Sequence, residues 1–246
     1  MFDETCGISG AALSAAAVEG STTPWYTCAL VTSVDYATKH SGYFGIARTE
    51  VFGLLPERMD RVLELGCGTG ATLAALRATG RCKRTAGIEL FESAAMEAEK
   101  QIDEVHVGDF ERMDLDSRLG QFDAIMCLDV LEHLVDPWKT VQRLGALLVP
   151  GGALIASIPN VRNIRVVAPL VLFGQWRYTD QGQLDRTHLR FFTRESAIDL
   201  VGSGGLEVDR VETIVGKRGQ LVNRLTLGAL RRFFDFQYLV RGTRKR

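Results

Sequence analysis

Val62-Leu63-Glu64-Leu65-Gly66-Cys67-Gly68-Thr69-Gly70 decides how this chain folds. A short apolar run enters a turn with glycine at every second position and leaves it as a helix over residues 71–79. A strand that feeds a helix through glycines is how an α/β sheet presents backbone N–H groups to a ligand. Gly66 and Gly68 remove the Cβ atoms that would block close approach, and Gly70 lets the helix sit against the strand. Loops that cradle a dinucleotide space their glycines G-x-G-x-x-G, whereas this one runs G-x-G-x-G with Glu64 two residues ahead of the first. A carboxylate there repels a pyrophosphate and attracts an ammonium group. The loop therefore favours a nucleoside joined to an amino acid, held by Glu64, Gly66, Cys67, Gly68 and Gly70.

The 246 residues suffice for one large α/β domain with a modest elaboration. Apolar residues make up 46% of the chain, enough for a sizeable core. The net charge of −1 gives no drive toward nucleic acid or an anionic membrane surface. No apolar run reaches the length of a membrane span, and no basic segment followed by an apolar core marks a secretory signal. The five cysteines, Cys6, Cys28, Cys67, Cys82 and Cys127, include no C-x-x-C pair. Their odd number and scatter argue against a disulfide framework and a zinc site, and fit a reducing cytoplasm.

Residues 1–33, rich in Ala, Ser, Thr and Gly, read as a flexible lead-in to a single domain over 34–246. Helical pieces are expected over 34–55, covering the domain. The first strand is 61–65. The second, 85–89, ends in Glu89, about 20 residues past the loop, where a carboxylate reaches the ribose hydroxyls of an adenosine ligand. Leu90 would pack on the adenine. A third strand, 104–107, delivers Gly108-Asp109-Phe110, in which Asp109 accepts from an adenine amino group and the Phe110 N–H serves a ring nitrogen. The apolar fourth strand, 122–128, suits a sheet covered on both faces. It runs into Asp129-Val130-Leu131-Glu132-His133-Leu134-Val135-Asp136-Pro137, beside the loop at the switch point of the sheet. Asp136 caps the next helix with Pro137 at its first position. A fifth strand spans 153–158. An insertion over about 160–192 then sits above the strand ends as an acceptor lid, or offers its apolar face to a homodimer. A helix capped by Thr193, a sixth strand at 206–215, a helix over 223–232 and a last strand at 234–241 complete the chain.

The segment Glu64-Leu65-Gly66-Cys67-Gly68-Thr69-Gly70 resembles motif I of the class I S-adenosylmethionine-dependent methyltransferases. Asp129-Val130-Leu131-Glu132-His133-Leu134 resembles the D-V-L-E-H-L segment of one large methyltransferase group. With Glu89 and Asp109 in order between them, the resemblance covers roughly residues 43–242. It implies a doubly wound, Rossmann-like sheet of seven strands, the last antiparallel, with S-adenosylmethionine as cofactor and S-adenosylhomocysteine as product. It further implies that a helix before motif I offers Arg48 to the cofactor carboxylate, with Tyr43 near the sulfonium, where an aromatic face favours the cation. The Leu128 carbonyl and Asp129 would face the methionine part, and His133 the acceptor.

Methyl transfer is an in-line displacement in which the protein supplies alignment and a dry pocket. Ser157-Ile158-Pro159-Asn160 and residues 185–193 resemble bacterial methyltransferases associated with glycosyltransferases. The expected acceptor is accordingly a small molecule or glycan, with a sugar hydroxyl preferred and His133 or His188 as its base. A natural-product or quinol-type acceptor is the alternative. Outside methyl transfer stand a nicotinamide-dependent oxidoreductase, which the loop spacing and Glu64 count against, and a non-catalytic binding domain. The four histidines, His40, His106, His133 and His188, are far apart along the chain and lack ligand-like spacing, so no metal is expected.

Overall fold

The computed structural model describes residues 45–113 and 120–246. Among them seven strands form one sheet: β1 (Met59–Leu65), β2 (Cys82–Glu89), β3 (Glu104–Val107), β4 (Phe122–Leu128), β5 (Leu148–Pro159), β6 (Leu206–Val215) and β7 (Asp235–Arg244). Their order is β3-β2-β1-β4-β5-β7-β6. The first five run parallel, and β7 lies antiparallel between β5 and β6. The expected doubly wound, seven-stranded sheet with an antiparallel last strand is the observed one.

The inner strands are apolar because both faces are covered. Successive side chains point to opposite faces. Leu63, Ile125 and Leu154 enter one buried cluster, and their neighbours Val62, Met126 and Ile155 enter the other. Helices α1 (Ala71–Ala78) and α2 (Glu92–Ala98) follow β1 and β2, and α3 (Pro137–Leu147) follows β4. The Asp136 carboxylate accepts from Lys139 N–H at 3.0 Å and Pro137 occupies the first turn, as the sequence predicts. Register brings the strand ends level: Leu65 lies beside both Ile88 and Cys127, and Leu128 beside Ser157. The glycine loop, Glu89, Asp129 and Ser157 thus emerge on one edge of the sheet.

The insertion after β5 holds α4 (Ile164–Phe173), capped by the Asn163 side chain and ended by Gly174 at φ 64°. An isolated bridge between Asn160 and Phe192 ties its two ends together. Beyond it, α5 (Arg194–Gly202) starts in a reciprocal cap between Thr193 and Ser196.

Three expectations change. Of the helical cover expected over 34–55, residues 45–55 are described, and their helical piece is one 3-10 turn, Thr49–Leu54, anchored by fully buried Val51 and Leu54; residues 34–44 lie outside the described residues. The fifth strand begins at Leu148, which pairs with Phe122; the Pro150-Gly151-Gly152 segment then bulges out of the ladder, with Gly151 at φ 83°, and pairing resumes at Ala153 beside Ala124. The helix expected over 223–232 is instead α6 (Lys217–Leu225) and a single turn, α7 (Arg231–Phe234). Leu227 at φ 49° and Gly228 at φ 81° take left-handed conformations that end a helix. The leucine spacing across 225–230 hid that break: Leu227 is almost wholly exposed, so its apolar character reports no buried face.

Candidate active site

The cofactor side is built from backbone. Gly66, Gly68 and Gly70 have φ of 69°, 54° and 82°, a region where residues with a Cβ are strained. The Gly66 and Cys67 N–H groups donate to the Ile88 carbonyl at 2.8 and 3.2 Å, which folds the loop over the end of β2. A Cβ on Gly66 would lie 2.6 Å from Val130 Cγ2, so the loop also packs against the segment leaving β4.

Glu89 is buried, accepting from Gly68 N–H through one oxygen (2.8 Å) and from Phe91 N–H through the other (3.0 Å). The carboxylate expected to meet the ribose therefore braces the loop as well, and each oxygen has capacity for a second donor. Glu64 is also buried. One of its oxygens has no hydrogen-bond partner and the side chain bonds to Thr72. Burial pushes its pKa up to about 8, with the nearby Glu89 charge adding to the rise and Thr72 and Arg48 opposing it. An orphaned carboxylate oxygen beside a glycine cradle fits the ammonium of an amino-acid-bearing nucleoside. S-Adenosylmethionine carries that group.

Cys67 is buried, and its thiol is held well above the ordinary range by burial and then by the Glu64 and Glu89 charges; it is a packing residue. Its sulfur fits because residue 87 is glycine: a Cβ there would sit 2.4 Å from Cys67 Sγ. Sequence reading passed over Gly87, although a glycine inside an apolar strand signals a close approach. Leu90 is half exposed just beyond β2. Asp109 accepts from Glu111 N–H at 2.9 Å and pairs with Arg112 at 3.3 Å, so its carboxylate also shapes its own turn. The Phe110 ring is core, with the Arg143 guanidinium 4.7 Å from its centroid, leaving only its backbone to serve a ligand. Tyr43 lies outside the described residues. His106 bonds to Glu104 at 2.8 Å on β3.

At the ends of β4, β5 and β7 the side chains interlock. Leu128 is buried, and Asp129 after it has φ 57°, strained for a residue with a Cβ. The Asp129 carboxylate accepts from Arg48, from Gln237 and from Ser157 Oγ (3.1 Å). Arg48 also donates to Glu50 and to Ser157 Oγ (3.2 Å). The arginine expected at the cofactor carboxylate is thus engaged with Asp129 and Glu50. Gln237 was missed, since a polar residue in an alternating strand carries no distinguishing signal.

Long-range folding assembles the third part. The turn Leu131–His133 meets the insertion, where Leu189 and Arg190 N–H donate to the Glu132 carbonyl at 2.9 and 3.0 Å. His133 Nδ1 bonds to the Thr187 carbonyl at 3.0 Å, and His188 Nδ1 to the Gln183 carbonyl at 3.1 Å. The two rings stand edge to face, centroids 4.6 Å apart. Histidines that are distant along the sequence are therefore neighbours. Asp185 holds the backbone between them, accepting from Thr187 N–H (2.9 Å) and Oγ1 (2.6 Å). Against the pair lies Glu132, 1% exposed, both carboxyl oxygens without a hydrogen-bond partner and one 3.9 Å from His188 Nε2. Burial, then the Asp129 charge, drives its pKa well up. Glu132 went unremarked in the sequence because its neighbour His133 drew the chemical reading.

Residues 41–211 match the methyltransferase-domain family. The curated relatives include a ubiquinone biosynthesis O-methyltransferase of Aromatoleum aromaticum, 32% identical over 47% of this chain and 50% of its own length. Another, from Cereibacter sphaeroides, is 28% identical over 63% of this chain and 64% of its own length. The chain thus spans half to somewhat under two-thirds of these relatives. Among solved structures, a methyltransferase in complex with the Haloferax volcanii Trm112 activator superposes with a TM-score of 0.61 at 18% identity, covering 87% of this chain and 94% of that one. The magnesium protoporphyrin IX methyltransferase of Synechocystis, solved with bound S-adenosylhomocysteine, gives 0.54 at 16% identity over 86% and 84%. With the glycine loop, its two buried acids and the strand order in place, the chain belongs to the methyltransferase-domain family and carries the fold of the S-adenosylmethionine-dependent methyltransferases.

Proposed function

We propose that this protein methylates a hydroxyl oxygen of a small phenolic, quinol-type acceptor. The observation that carries this reading is the cluster of Glu132, His133 and His188 on the sheet edge that also bears the glycine loop. The curated relatives, named for ubiquinone biosynthesis and O-methylation, support a phenolic acceptor over the sugar hydroxyl that sequence resemblance favours.

When bound, S-adenosylmethionine supplies an electrophilic methyl on a positively charged sulfur. Glu64 would hold its ammonium, Glu89 its ribose hydroxyls, and Asp109 with the Phe110 N–H its adenine edge. Asp129, fixed by Ser157 and Gln237, would flank its methionine part. Nδ1 of both histidines is committed to a carbonyl, which places the ring lone pair on Nε2. An Nε2 would take the acceptor proton, and the bound cofactor would supply the methyl to that oxygen. A phenol, with a pKa of about 10 as in tyrosine, lies within reach of an imidazole base.

Incubation with S-adenosylmethionine and separate pools of catechols and simple phenols, nucleotide sugars and amines tests the reading by mass spectrometry. One added methyl in the phenolic pool, with S-adenosylhomocysteine formed, is the expected result. Methylation confined to the sugar or amine pool overturns it.

A further inference from the structure

We infer that Glu132, His133 and His188 form a binding site for a divalent cation of the zinc class, which holds the acceptor oxygen. This rests on the O-methylation reading and replaces its imidazole base: with a cation bound, the acceptor proton leaves to water. One ligand atom from each residue lies within 4.8 Å of the other two. Three atoms so placed surround a point no more than roughly 2.8 Å from each, against zinc–nitrogen and zinc–oxygen lengths of about 2.0–2.2 Å. Rotamer adjustments of under an ångström close the difference.

Three independent features fit such a site. The donor set, two imidazoles and one carboxylate, is that of catalytic zinc sites that keep a fourth position open for water or substrate. Each histidine has its Nδ1 on a backbone carbonyl, the arrangement that orients a ligating imidazole and presents Nε2 to the metal. Glu132 is a buried carboxylate with two hydrogen-bond-deficient oxygens beside those rings. Neither oxygen has a geometric hydrogen bond among the described residues, and a cation would satisfy them. The surroundings are also rigid: the Glu132 carbonyl is clamped by Leu189 and Arg190 N–H, and the Thr187 backbone by Asp185.

With the cation in place, both Nε2 atoms are ligands. The acceptor hydroxyl enters the open position, and the positive charge lowers its pKa so that its proton passes to water. The oxygen then takes the methyl as the sulfur–carbon bond breaks. Neither histidine need act as a free base.

The test is metal binding by the full-length protein. Chelator-treated protein is titrated with Zn²⁺ by calorimetry and with Co²⁺ by visible absorption, and S-adenosylmethionine affinity is measured on every sample. About one equivalent of Zn²⁺ and d–d bands of low-coordinate Co²⁺ are expected. E132Q and H188A should weaken Zn²⁺ binding by more than about 100-fold, beyond the ~10–100-fold cost of losing an outer-shell partner. Cofactor affinity should stay within a few-fold. H133N, at a partly exposed ring, gives the same readout if a buried variant fails to fold. Wild-type protein that binds no Zn²⁺, or variants that retain it, overturn the site. Methylation of phenols that survives chelation also overturns the site while leaving the O-methylation reading standing. Stoichiometric binding lost in the variants upholds the site even if no phenol is methylated, in which case only the acceptor reading falls.

Discussion

The two halves of the site are made differently. The cofactor half comes from one local segment: β1, the glycine loop and α1, closed by Glu89 from the adjacent strand. Its donors are mostly backbone N–H groups fixed by three left-handed glycines. The acceptor half comes from residues 54 or more positions apart, His133 with Thr187 and Glu132 with His188, and its chemistry lies in side chains. A half built from backbone tolerates change in composition but not in conformation. A half built from side chains tolerates neither, and depends on the insertion being docked.

The largest effect should appear in the second half. His188→Ala should lower methyl transfer by about 10²–10⁴-fold, the span ascribed to a positioned acid–base group, while cofactor affinity stays within a few-fold. Single-turnover assays with parallel calorimetry would show this, and a matched loss of cofactor binding would mean the halves are not separable.

Gly66→Val is the reciprocal break. It forces a Cβ into a left-handed site 2.6 Å from Val130 Cγ2. It should cost on the order of 2–4 kcal/mol of stability from backbone strain and overpacking together, and abolish detectable cofactor binding. Thermal denaturation with and without S-adenosylmethionine measures both.

Glu89→Ala should act more mildly. Losing its charge-assisted bonds to Gly68 and Phe91 costs about 1.5–3 kcal/mol, a cofactor Kd raised by roughly 10–100-fold. An unchanged Kd would assign Glu89 to structure alone.

The smallest effect is one of pH. Glu64 titrates near 8 in the folded protein against an ordinary value of 4.5, so between those limits the folded state binds the extra proton. The cofactor-free protein should lose stability as pH rises through that window, on the order of 1 kcal/mol per pH unit, and Glu64→Gln should flatten the slope. Stabilisation by S-adenosylmethionine should grow with pH over the same range, because its ammonium favours the ionised carboxylate. Denaturant melts from pH 5 to 8 would show a flat wild-type profile if Glu64 is ionised throughout.

That contrast also explains what the sequence discloses. The loop, its acids and the sheet were legible because their signals are local: glycine spacing, apolar runs and an acid at a strand end. Arg48 was identified as a site residue, but its engagement with Asp129 and Glu50 depends on side-chain placement that spacing does not encode. The pairing of His133 with His188, and the burial of Glu132 against them, depend on where an insertion docks. No period or motif reports that. Gln237 is invisible for a further reason: its role comes from β7 entering the sheet beside β5.

That placement of β7 bears on how the protein is made. Ribosomes deliver the strands in chain order, yet the seventh must slot between the fifth and the sixth. Until Asp235–Arg244 has emerged, one edge of β5 is unpaired and β6 has no neighbour to bind. The parallel half can condense early around β1 and β4, while the edge waits as an open template for pairing with other chains. Ribosomal stalling before residue 235 would therefore yield a nascent chain that already has its glycine loop, lacks Gln237, and carries an adhesive flank for chaperones to shield.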